Sequence, residues 1–314
     1  MSEAPSSSRA KLSVAVIGLG GIGSTFAYQL ARAGHDVTAI ARPGSLRLQQ
    51  LRRDQGVLSA SGERAALRVE DHLDEALPYD LVVVTTLSHQ VGAVLPALQR
   101  SQARCVHFMF NIFDPERLQA AIGEHRCTFG MPFVMATLDT DGRLHSTITR
   151  SRKTLHSDER WVELFNSAGI PSALEANIRL WLRCHVPMCI AFESISVAAQ
   201  RRGGGASWTE AMTVARGVHG GFAIIQGLGC RLYPASKVVI KSSPAVLLAA
   251  LLWFVSRIAS FRDLLATGLN ECRALVDDLV SAADGEVETD LRPHINAVRA
   301  MKPAAEGPNG RVGE

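Results

Sequence analysis

"VAVIGLGGIGSTFAYQLARAGHDVTAIAR", Val14 to Arg42, decides how the rest of the chain is read. It opens on a short β-branched run that ends in glycine, the pattern of a buried strand. Gly18, Gly20 and Gly23 then complete G-x-G-x-x-G. "STFAYQLARAG" follows with apolar residues at helical spacing and stops at Gly34, a helix-ending signal. "HDVTAIAR" reads as a second strand. Strand, glycine turn, helix and strand within about thirty residues form the context in which this motif is specific.

Each glycine of the turn has a mechanical task. Gly18 permits the tight turn, Gly20 lets backbone amides approach a pyrophosphate, and Gly23 lets the helix pack close to the strand. The helix N-terminus then offers unpaired amides and a partial positive charge to phosphates. The expected cradle therefore runs through Gly18, Leu19, Gly20, Gly21, Ile22 and Gly23. At the end of the second strand stands Arg42, with no carboxylate between it and Asp54. An arginine fork suits a 2′-phosphate, which favours NADP over NAD; Arg47 is a second cation at that place.

The alternation continues. "YDLVVVTT" and "ARCVHFMF" read as buried strands, "LRLQQLRRDQG", "QVGAVLPALQRS" and "DPERLQAAIGEH" as helices, and "CTFGMPFVMA" as one further strand. "LDTDGRLHSTI" reads as a hairpin turning at Thr140-Asp141-Gly142. Strands alternating with helices predict a doubly wound parallel sheet of the Rossmann type over residues 12–175. From Asn177 onward the signal is helical, including "IRLWLRCHVPMCIAFESISVAAQ", "WTEAMTVARGVHGGFAIIQGLG", "PAVLLAALLWFVSRIASF" and "LNECRALVDDLVSAA". The fold class is thus an α/β domain followed by an all-α domain over residues 176–300. Residues 1–11 and 301–314 read as disordered tails.

Composition narrows the function. The chain has 314 residues, 47% of them hydrophobic, and a formal net charge of +3. Its basic residues are scattered without aromatic interleaving, which argues against nucleic-acid binding. The N-terminus lacks the apolar core of a signal peptide. "PAVLLAALLWFV" is shorter than the roughly 20 residues of a membrane span, so no membrane is expected. It is apolar around most of its circumference, which predicts a homodimer built on the helical domain. Six cysteines without metal-site spacing fit a reducing cytoplasm, and no cluster has zinc grammar. No Gly-x-Ser-x-Gly elbow suggests a hydrolase.

At this level of detail the sequence resembles the ketopantoate reductase (2-dehydropantoate 2-reductase) family. The opening stretch, "DLVVVTTLSHQV" and "NIFDPERL" carry the likeness. The resemblance implies NADP, held in part by Thr85 and Leu87 after the fourth main strand and by Asn111 beside the nicotinamide ribose. It also implies a helical second domain of the 6-phosphogluconate dehydrogenase-like type, with a small substrate lying between the domains. Glu271, in "NECRALVDDL", matches the glutamate that contacts the substrate hydroxyl. Leu87 stands where the family has a lysine. The family's catalytic lysine, followed by asparagines four and eight positions later, is also missing, because no lysine lies between Lys153 and Lys237.

Two registers fit the helix that should carry it. One places Arg183, Pro187 and Ala191 at the three positions; the other places His185, Cys189 and Glu193 there. The second puts three titratable groups on one stripe of an apolar helix, a pattern associated with pKa tuning. His185 is then the expected proton donor, with Glu193 and Glu271 as further catalytic residues. His89 and His107 read as structural, and His219 as part of the helical core. The expected activity is NADPH-dependent reduction of a carbonyl or imine in a small metabolite other than ketopantoate. The rival is a protein that binds NADP without catalysis.

Overall fold

The computed structural model describes residues 10–265, 268–284 and 291–304. The predicted tails lie largely outside them, although Met301 closes the last helix. The described residues divide into two units. The first runs to Phe110 and resumes over Glu116–Ile178; the second takes Asn111–Pro115 and everything from Arg179.

The first unit contains β1 (Ser13–Ile17), α1 (Gly21–Arg32), β2 (Asp36–Ile40), α2 (Leu46–Asp54), β3 (Gly56–Leu58), β4 (Arg64–Ala66), β5 (Arg68–Glu70), β6 (Leu81–Val84), α3 (Leu95–Arg100) and β7 (Val106–Met109). It continues through α4 (Pro115–Ile122), β8 (Cys127–Met131), β9 (Met135–Leu138), β10 (Leu144–Thr147), β11 (Thr154–His156), α5 (Glu159–Ser167) and β12 (Ser172–Leu174). Eight strands form one sheet in the order β12-β11-β8-β7-β6-β1-β2-β5. Every pairing is parallel except β11 with β8. β1 and β6 bury nearly every side chain, as strands covered on both faces must.

The chain leaves β1 toward β2 on one side and returns as β6 on the other. The switch point between β1 and β6 is where doubly wound sheets bind ligands.

Three predicted elements differ in detail. "CTFGMPFVMA" is two strands, since Pro132 ends β8 and the next residues turn into the β9–β10 hairpin. "QVGAVLPALQRS" is a 3-10 turn over Ser88–Ala93 followed by α3, with Pro96 in the first turn, where a missing N–H is tolerated. "PAVLLAALLWFVSRIASF" breaks after Val255.

The second unit holds α6 (Ile178–Arg201), α7 (Trp208–Gly227), α8 (Ala235–Ser242), α9 (Ala245–Val255), α10 (Ala259–Leu265), α11 (Leu269–Asp284) and α12 (Arg292–Met301). Its core is aliphatic, with Val218, Phe222, Ile225, Leu252, Leu275, Leu279 and Val298 buried together. α7 presents Gly217 and Gly220 to α12, and a Cβ at Gly217 would fall 2.1 Å from the Met301 side chain. α6 has the length and hydropathy of a membrane span, yet 78% of its apolar window is buried within the protein and it carries Glu193. It is a core helix.

Candidate functional site

The glycine turn sits at the switch point. Gly18 has φ +93°, and a Cβ there would lie 2.8 Å from the Thr86 nitrogen. Gly23 is tighter: a Cβ would stand 2.1 Å from the Gly18 carbonyl oxygen and 2.4 Å from Thr85 Oγ1. Gly21 faces the hairpin, 2.3 Å from Ala136 O on the same construction. Gly20 differs from all three, because its Cβ would enter open space. Gly20 also caps α1 with no side-chain hydrogen bond, and the first turn of α1 has no acidic residue. The positive end of the helix dipole is therefore uncompensated and open to an anion.

The surrounding residues fix this turn. Thr85 Oγ1 donates to the Ile17 carbonyl at 3.0 Å or the Gly18 carbonyl at 2.7 Å, tying β6 to the turn. Leu19 is buried and Ile22 packs against the sheet core, so both act through the backbone. Arg47 donates to Leu19 O (3.0 Å), Gly142 O (2.8 Å) and Ser24 Oγ (2.9 Å). Burial pulls its guanidinium down to about 10. Arg47 is thus a staple between α2, the turn and the hairpin rather than a second phosphate ligand. Arg42 is exposed at the end of β2, and its carbonyl accepts from Ser45 N and Oγ. One neighbour escaped the sequence reading: β5 sets Glu70 opposite Ile40, an exposed carboxylate beside the β2 edge. Leu87 is half-exposed at the start of the 3-10 turn, and His89 is exposed.

The second unit gathers a different set of groups. Asn111, two residues beyond β7 in the chain, donates from Nδ2 to Glu271 Oε1 at 3.1 Å. Its Oδ1 accepts from Cys189 Sγ at 3.2 Å. Cys189 lies between His185 and Glu193 on one stripe of α6. The register built on His185, Cys189 and Glu193 is thus the one whose middle position meets Asn111. Arg183, from the other register, donates to Phe113 O at 3.1 Å and to Cys230 Sγ at 3.3 Å.

Burial sets the electrostatics along that stripe. His185 stacks on Trp181, with ring centroids 4.4 Å apart. Desolvation, reinforced by the Lys237 charge, pulls its imidazole down to about 3. An imidazole held that low is neutral near pH 7, which weighs against the proton-donor role expected of His185. Burial pushes the Cys189 thiol well up, and Glu193 and Glu271 add to that. Glu193 is buried and raised well above the usual carboxylate range by desolvation, then by Glu271. Burial raises Glu271 as well, against the hydrogen bond from Asn111, which favours its charged form.

Lys237, on α8, is the group the sequence reading passed over. It is 9% exposed, lowered by desolvation, and its charge acts on Cys189, Cys184 and His185. A lysine is thus present at this end of the row, contributed by another helix. Among the described residues no cluster of His, Cys, Asp and Glu is arranged to hold a metal ion. His107 packs as expected, hydrogen-bonded to Thr128 and His156 inside the sheet. His219 lies half-buried on α7.

Residues 14–155 match the family described as Ketopantoate reductase PanE/ApbA. No curated protein sequence matches the chain. Among solved structures, the chain is similar to a PanE/ApbA family ketopantoate reductase from Ralstonia eutropha JMP134, with 20% identity and a TM-score of 0.67, covering 92% of this chain and 98% of that one. It is also similar to 2-dehydropantoate 2-reductase from Porphyromonas gingivalis W83, at 16% identity and a TM-score of 0.64, covering 93% and 98%. A D-mandelate dehydrogenase in complex with NADH aligns at 16% identity and a TM-score of 0.64, covering 93% and 97%. The chain is ketopantoate reductase-like, in sequence over residues 14–155 and in fold over nearly its whole length.

Proposed function

We propose that this protein is an NADPH-dependent oxidoreductase that reduces a carbonyl or imine of a small metabolite. The observation that carries this reading is the uncapped N-terminus of α1, opened by Gly20 at the switch point of the sheet. The open space beside Gly20, where a Cβ would meet nothing within 4 Å, leaves room for a pyrophosphate. The backbone amides of Gly21, Ile22 and Gly23 would hold it, and Arg42 would meet the 2′-phosphate. When bound, the reduced nicotinamide supplies the hydride; the protein positions it and provides a proton. Asn111, Cys189, Glu193 and Glu271 form a polar row within the second unit and are the groups we assign to the substrate, and Leu87 in place of a lysine favours a less polar substrate than ketopantoate. The six cysteines are all free, which fits a reducing cytoplasm.

The helical unit also favours a homodimer. Val239, Leu247, Leu251 and Phe254 on α8 and α9 are exposed, an apolar face that a second copy would cover. Light scattering at micromolar concentration should report twice the chain mass.

The activity is tested by NADPH oxidation across 2-oxo acids, ketones and cyclic imines, beside a direct NADPH titration. Turnover with one of these classes supports the reading. Tight NADPH binding with no turnover on any of them leaves the non-catalytic binding protein in its place.

A further inference from the structure

Two arginines follow β2, and the fold uses them differently. Arg42 is exposed, whereas Arg47 is half-buried and turned against the glycine turn. The Arg47 guanidinium donates to three neutral acceptors. They are Leu19 O in the turn (3.0 Å), Ser24 Oγ in the first turn of α1 (2.9 Å) and Gly142 O beyond the tip of the hairpin (2.8 Å). Ser24 Oγ itself donates to Leu19 O at 3.0 Å, closing a ring of hydrogen bonds at the start of the helix. Among the described residues no carboxylate pairs with Arg47. Asp54 acts on it by charge alone, and Arg53 already holds both Asp54 oxygens, at 2.7 and 2.8 Å.

This placement runs against ordinary helix electrostatics. A cation is favourable at a helix C-terminus and unfavourable at the N-terminus. Arg47 nevertheless bonds to the first turn of α1, which has no acidic residue to offset it. A guanidinium drawn out of water without a counter-ion is destabilising, more so beside the unpaired amides of a helix start. One event relieves both costs: the arrival of an anion at that helix start. A tie to the hairpin does not require this charge. Gln50, a neutral residue of α2, makes one by donating from Nε2 to Thr140 O at 3.2 Å.

We infer that Arg47 is a positioning residue for the dinucleotide pyrophosphate, supplying beneath the turn a fixed positive charge that the bound anion balances. This rests on the cofactor reading above. Arg47 acts without touching the cofactor, its donors remaining on Leu19, Ser24 and Gly142. Its effect also differs in kind from that of Arg42. A 2′-phosphate belongs to NADP alone, whereas the pyrophosphate is common to NADP and NAD. Arg47 therefore strengthens both cofactors by the same factor, and Arg42 chooses between them.

The test uses the full chain and four variants: Arg47→Met, Arg47→Gln, Arg47→Lys and Gln50→Ala. Each is titrated with NADPH and NADH, and its Tm is measured with and without inorganic pyrophosphate. Arg47→Met should weaken both dinucleotides equally, by about tenfold or more, and lose the rise in Tm that pyrophosphate gives the wild type. Arg47→Gln keeps two donors without the charge; it should behave alike and stands in if Arg47→Met folds poorly. Arg47→Lys, which keeps the charge, should recover most of the affinity. Gln50→Ala should bind both dinucleotides as the wild type does, although a hairpin tie is lost. Wild-type affinity in the neutral variants overturns the inference. So does an Arg47→Lys protein as weak as Arg47→Met, because the charge would not be the cause. A Gln50→Ala protein weakened as much as Arg47→Met would reduce Arg47 to a hairpin tie. Loss of NADPH alone, with NADH intact, would make Arg47 a 2′-phosphate ligand instead. A wild type that binds neither dinucleotide, yet gains an Arg47-dependent rise in Tm from pyrophosphate, would sink the cofactor reading and leave the charge assignment standing. No response to any of the three probes would sink both.

Discussion

The glycine turn of the first unit and the polar row of the second are built on opposite principles. The turn works through backbone that side chains must not obstruct: three of its glycines are excluded from bearing a Cβ by neighbours, and the fourth faces open space. The row works through side chains that converge from α6, α8, α11 and the segment after β7. A site made of backbone is written in consecutive residues. A site made of converging side chains is written across the chain, and the Asn111–Glu271 hydrogen bond spans 160 positions.

The largest effect should come from crowding the turn. Gly23→Ala forces the helix away from Gly18 and Thr85, and overpacking of this kind costs about 1–3 kcal/mol. Chemical unfolding should show that loss, and NADPH titration should show almost no binding. Gly20→Ala sharpens the comparison, because its Cβ meets nothing. Stability should stay within about 0.5 kcal/mol of wild type while NADPH affinity falls. A Gly20→Ala protein that binds NADPH normally would mean that the pyrophosphate does not lie there.

Next in size is cofactor choice. A hydrogen bond to a charged group contributes about 1.5–3 kcal/mol, so Arg42→Asp should weaken NADPH by roughly 10- to 100-fold and improve NADH. Glu70→Gln should help NADPH modestly by removing the carboxylate beside the β2 edge. Equal affinities of the wild type for the two cofactors would break the assignment of Arg42.

These two regions also differ in how far they could be read in advance. The strand, turn and helix of residues 14–42 declare themselves because a glycine's freedom is local. The stripe of His185, Cys189 and Glu193 was half legible: helical spacing put the three on one face, but not what each would touch. Lys237 was invisible for a physical reason. α6 carries no lysine; the one whose charge acts on Cys189 stands on α8, and only packing of the helices brings it there. Burial was equally hidden, and burial is what lowers the His185 imidazole and raises the Glu193 carboxyl.

A comparable effect is expected from pH, through imidazoles buried in both units. His156 lies inside the sheet of the first unit, donor or acceptor to His107 at 2.9 Å and to Ser172 at 3.1 Å, and desolvation pulls it down to about 3. An unfolded histidine titrates near 6.5, so below that pH the unfolded chain binds a proton that the folded sheet refuses. The stability contributed by His156 is complete above pH 6.5 and is lost as pH falls toward 3, at about 1.4 kcal/mol per pH unit. Urea unfolding at pH 7 and pH 5 should show the difference. A His156→Gln variant should lose part of that slope; an unchanged slope would place the acid sensitivity elsewhere.

The smallest effect is predicted for the residue that the sequence pointed to first. His185 occupies the position along α6 where a proton donor was expected, yet its imidazole is held at about 3 and is neutral throughout the working range. One of its contacts is the stack on Trp181 at 4.4 Å, and an aromatic pair of this kind contributes about 0.5–1.5 kcal/mol. His185→Ala should therefore lower stability by about that amount and change kcat by less than about threefold, far below the range of a lost general acid. Because removing the ring also brings water closer to Lys237, the lysine should move back up toward its ordinary value. The variant's pH profile should accordingly shift upward if Lys237 sets its alkaline limb. A tenfold or greater fall in kcat with stability intact would return the proton to the imidazole and make the second unit's site more like its sequence than its structure indicates.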